Sequence, residues 1–542
     1  MGLAIVIVVL DTTLLNVSLA TIVRELNTDL RSIQWVITAY SLTLASLTIT
    51  GGRLGDIFGR KRMFVTGAVT FAAGSFLASV SHNVPTLIWG ESIIEGIGAA
   101  LMLPATVSLL VTHYHGRERA LALGIWGGMA ALGAAIGPVV GGYLTTHFSW
   151  RWGFRINVFV AAVLVAASFA IKDRAPRQNS RLDWVGALLS ALGLFFGVFA
   201  IIEGSAYGWW RSIKDFTVGG VSLNPGRLSV VPLAVVLSVC LLVGFSFWEK
   251  RVARRSLMPL LPPGLFSIEQ FRNGVYLTGM MALGQMGLLF SLPIFLQGVR
   301  GLDALHTGYA LLPMSAGLLI TAPLGGYISR RIPPKRIVQS GLVLSGLGLL
   351  ILRQTLTVDT TAQGLILPLG VYGLGIGLCF SQLANITLSA VSPKLSGAAA
   401  GVNNTVRQVG ASLGVAIIGT IVVVSLTSGL HDGIAGSSQL SAREKAVIGR
   451  SVAGQVSAVE FGAPLRTSIA LSPAKQVEIR QIAKRSTVEA DKHAFLFTIA
   501  TILLAFLLAR RLPDGLNLEP AQTIEELDSG TAGALALTRK IS

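Results

Sequence analysis

The chain has 542 residues, of which only 13% are charged while 52% are hydrophobic and 61 are glycine. Soluble domains carry about 25% charged residues, so a soluble enzyme, a nucleic-acid binder and a disordered chain are poor readings from the start. The net charge of +17 is spread over short Lys/Arg clusters between apolar runs rather than gathered into one patch, the pattern of a chain that crosses a membrane many times.

In chain order, hydropathy and loop charge predict fourteen spans: 1–23, 32–54, 63–82, 85–109, 119–143, 152–171, 184–203, 229–248, 274–297, 307–329, 337–353, 364–389, 398–426 and 493–511. A crossing helix needs ~20 apolar residues, and the expected fold class is an all-α polytopic membrane protein. Several spans are rich in Gly, Ala and Ser, which lets membrane helices pack closely. The opening MGLAIVIVVLD lacks the basic n-region of a cleavable signal peptide. Loops after even-numbered spans, with the tail, hold 24 Lys and Arg against nine in the short loops after odd-numbered spans. That asymmetry predicts cytoplasmic N- and C-termini.

Segment 427–492 is the one sizeable loop, and its helical charge patterning predicts one or two helices outside the membrane, acting as a tether or lid. The tail 512–542 is polar and expected to be mobile. Cys240 and Cys379 both lie in apolar runs and form neither a disulfide framework nor a metal-ligand spacing. Trp150, Trp152, Trp184, Trp209, Trp210 and Trp248 fall near span ends, where interface anchors sit.

Two segments align without a gap at an offset of 274 residues: GGRLGDIFGRKR from Gly51 and GGYISRRIPPKR from Gly325. Two positive-inside loops can resemble each other by chance, but the paired glycines favour an internal duplication, which predicts a six-helix half (1–182), two inserted helices with a linker (183–273), a second six-helix half (274–511) and the tail (512–542). Such an architecture places a substrate cavity near mid-membrane, between the halves.

Ionisable residues inside spans mark function. Asp11 lies ten helical residues from the chain start, about 15 Å along the helix, and either takes up protons or is held by Thr12, Thr13 or Asn16. Glu91 and Glu95 are spaced i,i+4 and share a helix face; two acids so placed tend to keep one proton between them. Glu91 is also near enough to the span start to be solvated. Arg407 has Asn403 and Asn404 one turn before it and requires a carboxylate or helix-end carbonyl as partner. Gln285, Gln382, Asn385 and Asn404 either line a cavity or hold helices together. Trp126 lies deep in its span, where it either packs in the core or stacks on an aromatic cation. His113 and His115 form an H-x-H in a loop, more in keeping with solvation than with a metal site. No phosphate-binding glycine loop of the Walker type appears, and no cofactor is expected.

Four motifs in register carry a resemblance. LDTTLLNVSLA (Leu10–Ala20), GRLGDIFGRKR (Gly52–Arg62), GAAIGPVVGG (Gly133–Gly142) and GVNNTVRQVGASLGVAIIG (Gly401–Gly419) are similar to signatures of the major facilitator superfamily, specifically the fourteen-span drug:proton antiporters of the EmrB/QacA type. The resemblance covers nearly the whole chain. It implies a proton-coupled exporter working by alternating access on small amphipathic, cationic compounds, driven by the proton motive force, as a monomer among membrane lipids in the cytoplasmic membrane. The intramembrane acids Asp11, Glu95 and Glu91 are the expected proton-coupling groups of this chain, and Asn16, Trp126, Gln285, Gln382, Asn385, Asn404 and Arg407 the expected cavity residues. Gating falls to Gly52, Asp56, Gly59, Arg60, Lys61 and Arg62, with Arg330 of the second copy. The span-five antiporter motif comprises Gly133, Gly137, Pro138, Gly141 and Gly142. Two departures stand out: Ile57 follows Asp56 where the family has Arg, and span four carries Glu91 and Glu95 where the family has Arg and Gln. Export of a specific metabolite, antibiotic or lipid, nutrient uptake, and a non-transporting membrane sensor are the competing readings.

Overall fold

Three helix starts in this chain are marked by side chains that satisfy free backbone N–H groups. Asn83, Asp183 and Asp303 each accept from the amide three residues on, at 2.8, 3.0 and 2.7 Å. The computed structural model describes residues 1–514 apart from 29, 115, 172–181, 213–215, 219–220, 223–227, 255–258, 262, 330, 392–394 and 453–470.

The first group of helices is α1 (Gly2–Glu25), α2 (Leu30–Phe58), α3 (Arg60–Ser79), α4 (Val84–His113), α5 (Gly116–His147) and α6 (Arg151–Ser168). A pair follows, α7 (Trp184–Tyr207) and α8 (Val230–Arg254). The remainder are α9 (Glu269–Val299), α10 (Ala304–Ile328), α11 (Pro334–Thr355), α12 (Ile366–Ser389), α13 (Ser396–Gly436), the short α14 (Ala442–Val452) and α15 (Pro473–Ala509). The described strands are β1 (Thr217–Val218) and β2 (Val221–Ser222), a two-residue antiparallel ladder between α7 and α8. Among the described residues, eleven helices, α4 to α13 and α15, are long and apolar enough to cross a membrane; α1 contributes a shorter apolar stretch, Gly2–Leu15.

The α2–α3 turn is made by Gly59, whose φ of 102° is open to glycine and strained for other residues. Residues 88–95 of α4 form a π-helical stretch, a local widening that often coincides with functional sites. Helices α1–α6 share one buried cluster around Phe64, Phe71 and Leu103, and α9–α12 with α15 share another around Phe295, Leu349 and Phe495. The two groups meet where α2 and α4 touch α13, and where α5 touches α10 and α12. The α7–α8 pair packs against itself, with Ser238 Oγ donating to the Gly193 carbonyl at 2.7 Å, and α7 lies along both α2 and α13. Its outer face exposes Leu233, Val236, Val239, Val243 and Phe247, a surface compatible with lipid and not with water.

The long loop expected at 427–492 is largely helix. Helix α13 runs 41 residues and α15 runs 37, so each is ~55–60 Å long against a ~30 Å hydrocarbon core. The two remain paired along their length through Ile418, Val422, Leu426, Leu430 and Ile434 of α13 against Ile479, Ala490 and Ala494 of α15. Helix α14 docks there through Ile448. Trp150 is not an interface anchor: it is fully buried, and its Nε1 donates to Glu25 Oε2 at 2.9 Å.

Candidate functional site

Four helices bring three carboxylic acids into one buried cage. Asp11 enters from α1, and Glu91 and Glu95 from the π-helical stretch of α4; their exposures are 1%, 1% and 0%. Asn157 of α6, also 0% exposed, joins them. Its Nδ2 donates to Asp11 Oδ1 at 2.9 Å and to Glu95 Oε1 at 3.2 Å, so the two protons of one amide serve two acids. Tyr40 of α2, 1% exposed, lies within electrostatic reach of all three carboxylates, and its hydroxyl has no hydrogen-bond partner among the described residues. Ser92 Oγ lies 2.8 Å from Glu91 Oε2 and 2.7 Å from the Val36 carbonyl. One hydroxyl proton cannot serve both acceptors, and a proton carried by Glu91 completes the set. Among the described residues no Lys or Arg pairs with any of the three acids, and Asp11 Oδ2 and Glu91 Oε1 have no hydrogen-bond partner.

The expected Thr12 and Thr13 contacts to Asp11 do not form; both hydroxyls donate to main-chain carbonyls, Val9 O and Leu10 O, at 2.8 and 2.9 Å. Glu91 is not solvated near the span end. Asn157, Tyr40 and Ser92 went unnoticed in the sequence because neutral polar residues in apolar helices are common, and only their convergence distinguishes these three.

The span-five glycines hold the acid-bearing helix. Gly133, Gly137 and Gly141 form an i,i+4,i+8 stripe on α5 against Val6, Leu10 with Thr13, and Leu14 of α1. A Cβ on Gly137 would lie 2.8 Å from Thr13 Cβ, and one on Gly141 3.0 Å from Leu14 Cα. Gly142 faces Leu305 of α10 instead. The side chain of Pro138 lies outside the described residues, as do Arg330 and the side chain of Asn16.

A second constellation joins the two helix groups. Asp56, 2% exposed near the end of α2, accepts from the backbone amides of Gly397 at 3.2 Å and Ala398 at 3.0 Å. These amides open α13, where an anion is favoured by free N–H groups and the helix dipole. Arg60, 1% exposed, donates to Asp56 Oδ1 at 3.1 Å. Lys61 is half-buried and Arg62 exposed. Gly52 meets Gly397 backbone to backbone: a Cβ there would stand 3.0 Å from the Gly397 carbonyl carbon. Ser108 and Ser396 hydroxyls add a hydrogen bond of 2.7 Å across the same seam.

Between the groups, Trp126 of α5 packs against clusters belonging to both. Gln382 and Asn385 on α12 and Asn403 and Asn404 on α13 are buried. Trp126 Nε1, Gln382 Oε1, Asn385 Oδ1 and Asn403 Oδ1 have no hydrogen-bond partner among the described residues, which leaves polar atoms free for a guest molecule or water. Gln285 is half-buried on α9. Arg407 is half-buried on α13, and the carboxylate or carbonyl expected to face it is absent among the described residues. An apolar groove of about 390 Å³ between Leu302, Tyr309, Pro313 and Ile366 contains none of the acids. No group of metal-ligating side chains occurs among the described residues.

A helical bundle with a buried acid cage and two helix groups closing on each other is the design of a membrane transporter. The chain belongs to the Major Facilitator Superfamily, which it matches over residues 1–415. It is 34% identical to the puromycin resistance protein pur8 of Streptomyces alboniger, over 77% of this chain and 79% of that protein. It is 26% identical to the multidrug resistance protein Stp of Mycobacterium tuberculosis, over 93% of this chain and 89% of that one. Among solved structures, the human organic anion transporter MFSD10 (TETRAN) superposes with a TM-score of 0.57 at 13% identity, covering 94% of this chain and 97% of that one. The last likeness establishes the fold alone.

Proposed function

We propose that the chain is a proton-coupled exporter of small amphipathic, preferentially cationic compounds, working by alternating access between two six-helix halves in a fourteen-span bundle. The observation that carries this reading is the cage of Asp11, Glu91, Glu95 and Asn157. Three acids with no counter-cation among the described residues, in a low-dielectric site, exchange protons among themselves rather than all ionising. Each ionised state attracts a cation, and each protonated state releases it, so substrate and proton compete for the same negative charge.

The α5 glycine stripe lets α1 sit close to α5, so a change in the charge of Asp11 is transmitted as a movement of a packed helix pair rather than absorbed locally. The unsatisfied polar atoms of Trp126, Gln382, Asn385 and Asn403 fit an adaptable cavity that orients varied guests with few hydrogen bonds. Asp56 on the amides of Gly397 and Ala398 is the latch for one closed state, with Arg60 holding the carboxylate in place. The relatives named for resistance to puromycin and to multiple drugs support export rather than uptake.

Proteoliposomes with an imposed proton gradient test this reading. Movement of a cationic dye and of protons is followed together for the wild type, Asp11→Asn, Glu95→Gln and Glu91→Gln. Coupled, opposed fluxes lost in Asp11→Asn or Glu95→Gln are expected. Dye flux indifferent to the gradient in the wild type would overturn the antiport mechanism.

A further inference from the structure

The acid cage forms only if α1 and α6 meet at one height, because Asp11 and Asn157 stand on different helices. At the end of the bundle opposite Asp56, the last residue of α1 meets the first of α6. Glu25 Oε2 accepts from Arg151 Nη1 at 2.7 Å and from Trp150 Nε1 at 2.9 Å. The other arm of the same guanidinium, Nη2, donates to the Ser81 carbonyl at 2.9 Å. Ser81 follows α3 and is bound back to it: its amide and its hydroxyl donate to the Ala78 carbonyl at 3.1 and 2.8 Å. The guanidinium also lies 4.3 Å from the centre of the Trp150 ring, which is buried with Ile22 of α1, Ala78 of α3 and Leu87 of α4.

Each helix joined by Arg151 bears on the cage. Helix α1 carries Asp11 and α6 carries Asn157, while α3 backs the π-helical stretch that carries Glu91 and Glu95. A Cβ on Gly74 of α3 would stand 2.8 Å from Glu95 Cα, and one on Gly90 of α4 would stand 3.1 Å from Ala78 Cα. Between Arg151 and the cage, Gly153 of α6 lies against α1, where a Cβ would meet Leu14 Cγ at 3.1 Å. Apolar packing of this kind is non-directional, whereas a guanidinium fork fixes both distance and direction. An exposed ion pair alone contributes little, but the Arg151 side chain is only 19% exposed and is held by a carboxylate, a carbonyl and a ring.

We infer that Arg151 and Glu25 are positioning residues for proton coupling: their pair, tied to α3 through Ser81, sets the height of α1 against α6 at which Asn157 reaches both Asp11 and Glu95. The inference rests on the proton-coupling reading of the cage. Asn157 follows Arg151 by six residues, about 9 Å along one helix, so a slip of α6 at Arg151 displaces Asn157 with it. Its bonds of 2.9 and 3.2 Å weaken steeply with such a displacement. Asp11 and Glu95 then no longer act as one proton-binding unit, and substrate moves down its own gradient without protons.

The test uses the full chain in proteoliposomes with imposed proton and dye gradients, and reads the protons moved per molecule of cationic dye rather than the rate. A variant that only folds less well loses both fluxes in proportion and keeps the ratio; thermal unfolding reports the folding itself. Arg151→Met and Glu25→Leu should lower the ratio at least about 3-fold, as Asn157→Ala does, since the bonds lost are charge-assisted. The double variant Arg151→Met/Asn157→Ala should fall no further than Asn157→Ala. Arg151→Lys keeps the pair with Glu25 without the fork that also reaches Ser81, and should give an intermediate ratio. Arg155→Met removes a cation from the same helix, one that lies 5.0 Å from the centre of the Trp152 ring, and should keep the wild-type ratio. A wild-type ratio in Glu25→Leu and in Arg151→Met, or in Arg151→Lys where Arg151→Met does not fold, alongside a lowered ratio in Asn157→Ala overturns the clamp and leaves the cage standing. Additive losses in the double variant also overturn the clamp, and an unchanged ratio in Asn157→Ala overturns the coupling reading itself.

Discussion

Asn157 donates to Asp11 at 2.9 Å while its other amide proton reaches Glu95 at 3.2 Å, so one neutral residue ties two acids on different helices into a single unit. Hydrogen bonds to charged groups contribute roughly 1.5–3 kcal/mol. Asn157→Ala should therefore lower gradient-driven dye export by about 10-fold or more, because the acids lose the group that orders them. Asn157→Leu should fall further, since it fills the space without an N–H. Flux measured in proteoliposomes at matched protein content checks both; a wild-type rate in Asn157→Ala would remove it from the coupling unit.

The α5 stripe makes a sharper prediction, because two glycines of one motif stand in different surroundings. A methyl on Gly137 meets Thr13 Cβ at 2.8 Å and overlaps Thr13 Oγ1, whereas one on Gly142 finds Leu305 Cα only at 3.5 Å. Overpacking costs about 1–3 kcal/mol. Gly137→Ala should lose both thermal stability and flux, and Thr13→Ala should restore part of each by removing the hydroxyl. Gly142→Ala should stay near wild type in detergent melting curves and in transport.

How much of this could be read beforehand depends on what each feature requires. Asp11, Glu91 and Glu95 were legible as charges inside apolar runs, where a single residue is already anomalous. Asp56 was legible from its glycine-rich motif. Asn157 was not, since its role exists only once α1, α4 and α6 converge. The extents of α13 and α15 were missed because charged residues on their outer faces lower the mean hydropathy, while the packing stripe Ile418, Val422, Leu426, Leu430 and Ile434 runs on at intervals of four. The π-helical stretch of α4 leaves no mark in composition.

The helices beyond the apolar slab carry a pH-sensitive contact. Glu444 of α14 accepts from Lys475 Nζ on α15 at 2.7 and 2.8 Å, and from the Ser441 amide and hydroxyl at 2.8 Å each. The Lys475 bonds foremost, then those of Ser441, hold its carboxyl down at about 2 against an ordinary 4.5. A depressed acid contributes stability that is present above its unfolded value and is lost as pH falls through the folded one. Docking of α14 should be intact above about pH 4.5 and weaken from there down toward about 2. Amide hydrogen exchange over residues 442–452 should show the loss, and Lys475→Met should move its onset to higher pH.

The seam between α2 and α13 is set by glycines rather than by charges alone. Gly52 lies against the Gly397 main chain, so a methyl at 52 would press on backbone that cannot rotate away, 3.0 Å from the carbonyl carbon. Gly55, three residues on in the same motif, would place its methyl 3.9 Å from Arg60 Cγ, with nothing nearer. The bonds from the Gly397 and Ala398 amides to Asp56 need α2 and α13 at this separation, since hydrogen bonds weaken steeply with misalignment. Gly52→Ala should hold the two helices apart, at a cost of about 1–3 kcal/mol to the closed state. That corresponds to a roughly 5- to 150-fold change in the closed-to-open ratio. Gly55→Ala should leave it unchanged. Thiol accessibility of a cysteine at Ser396 to a soluble maleimide separates the two outcomes: fast labelling is expected with Gly52→Ala and slow labelling with Gly55→Ala. Equal rates in both would mean that the seam tolerates a wider gap and that the charge contacts alone hold it shut.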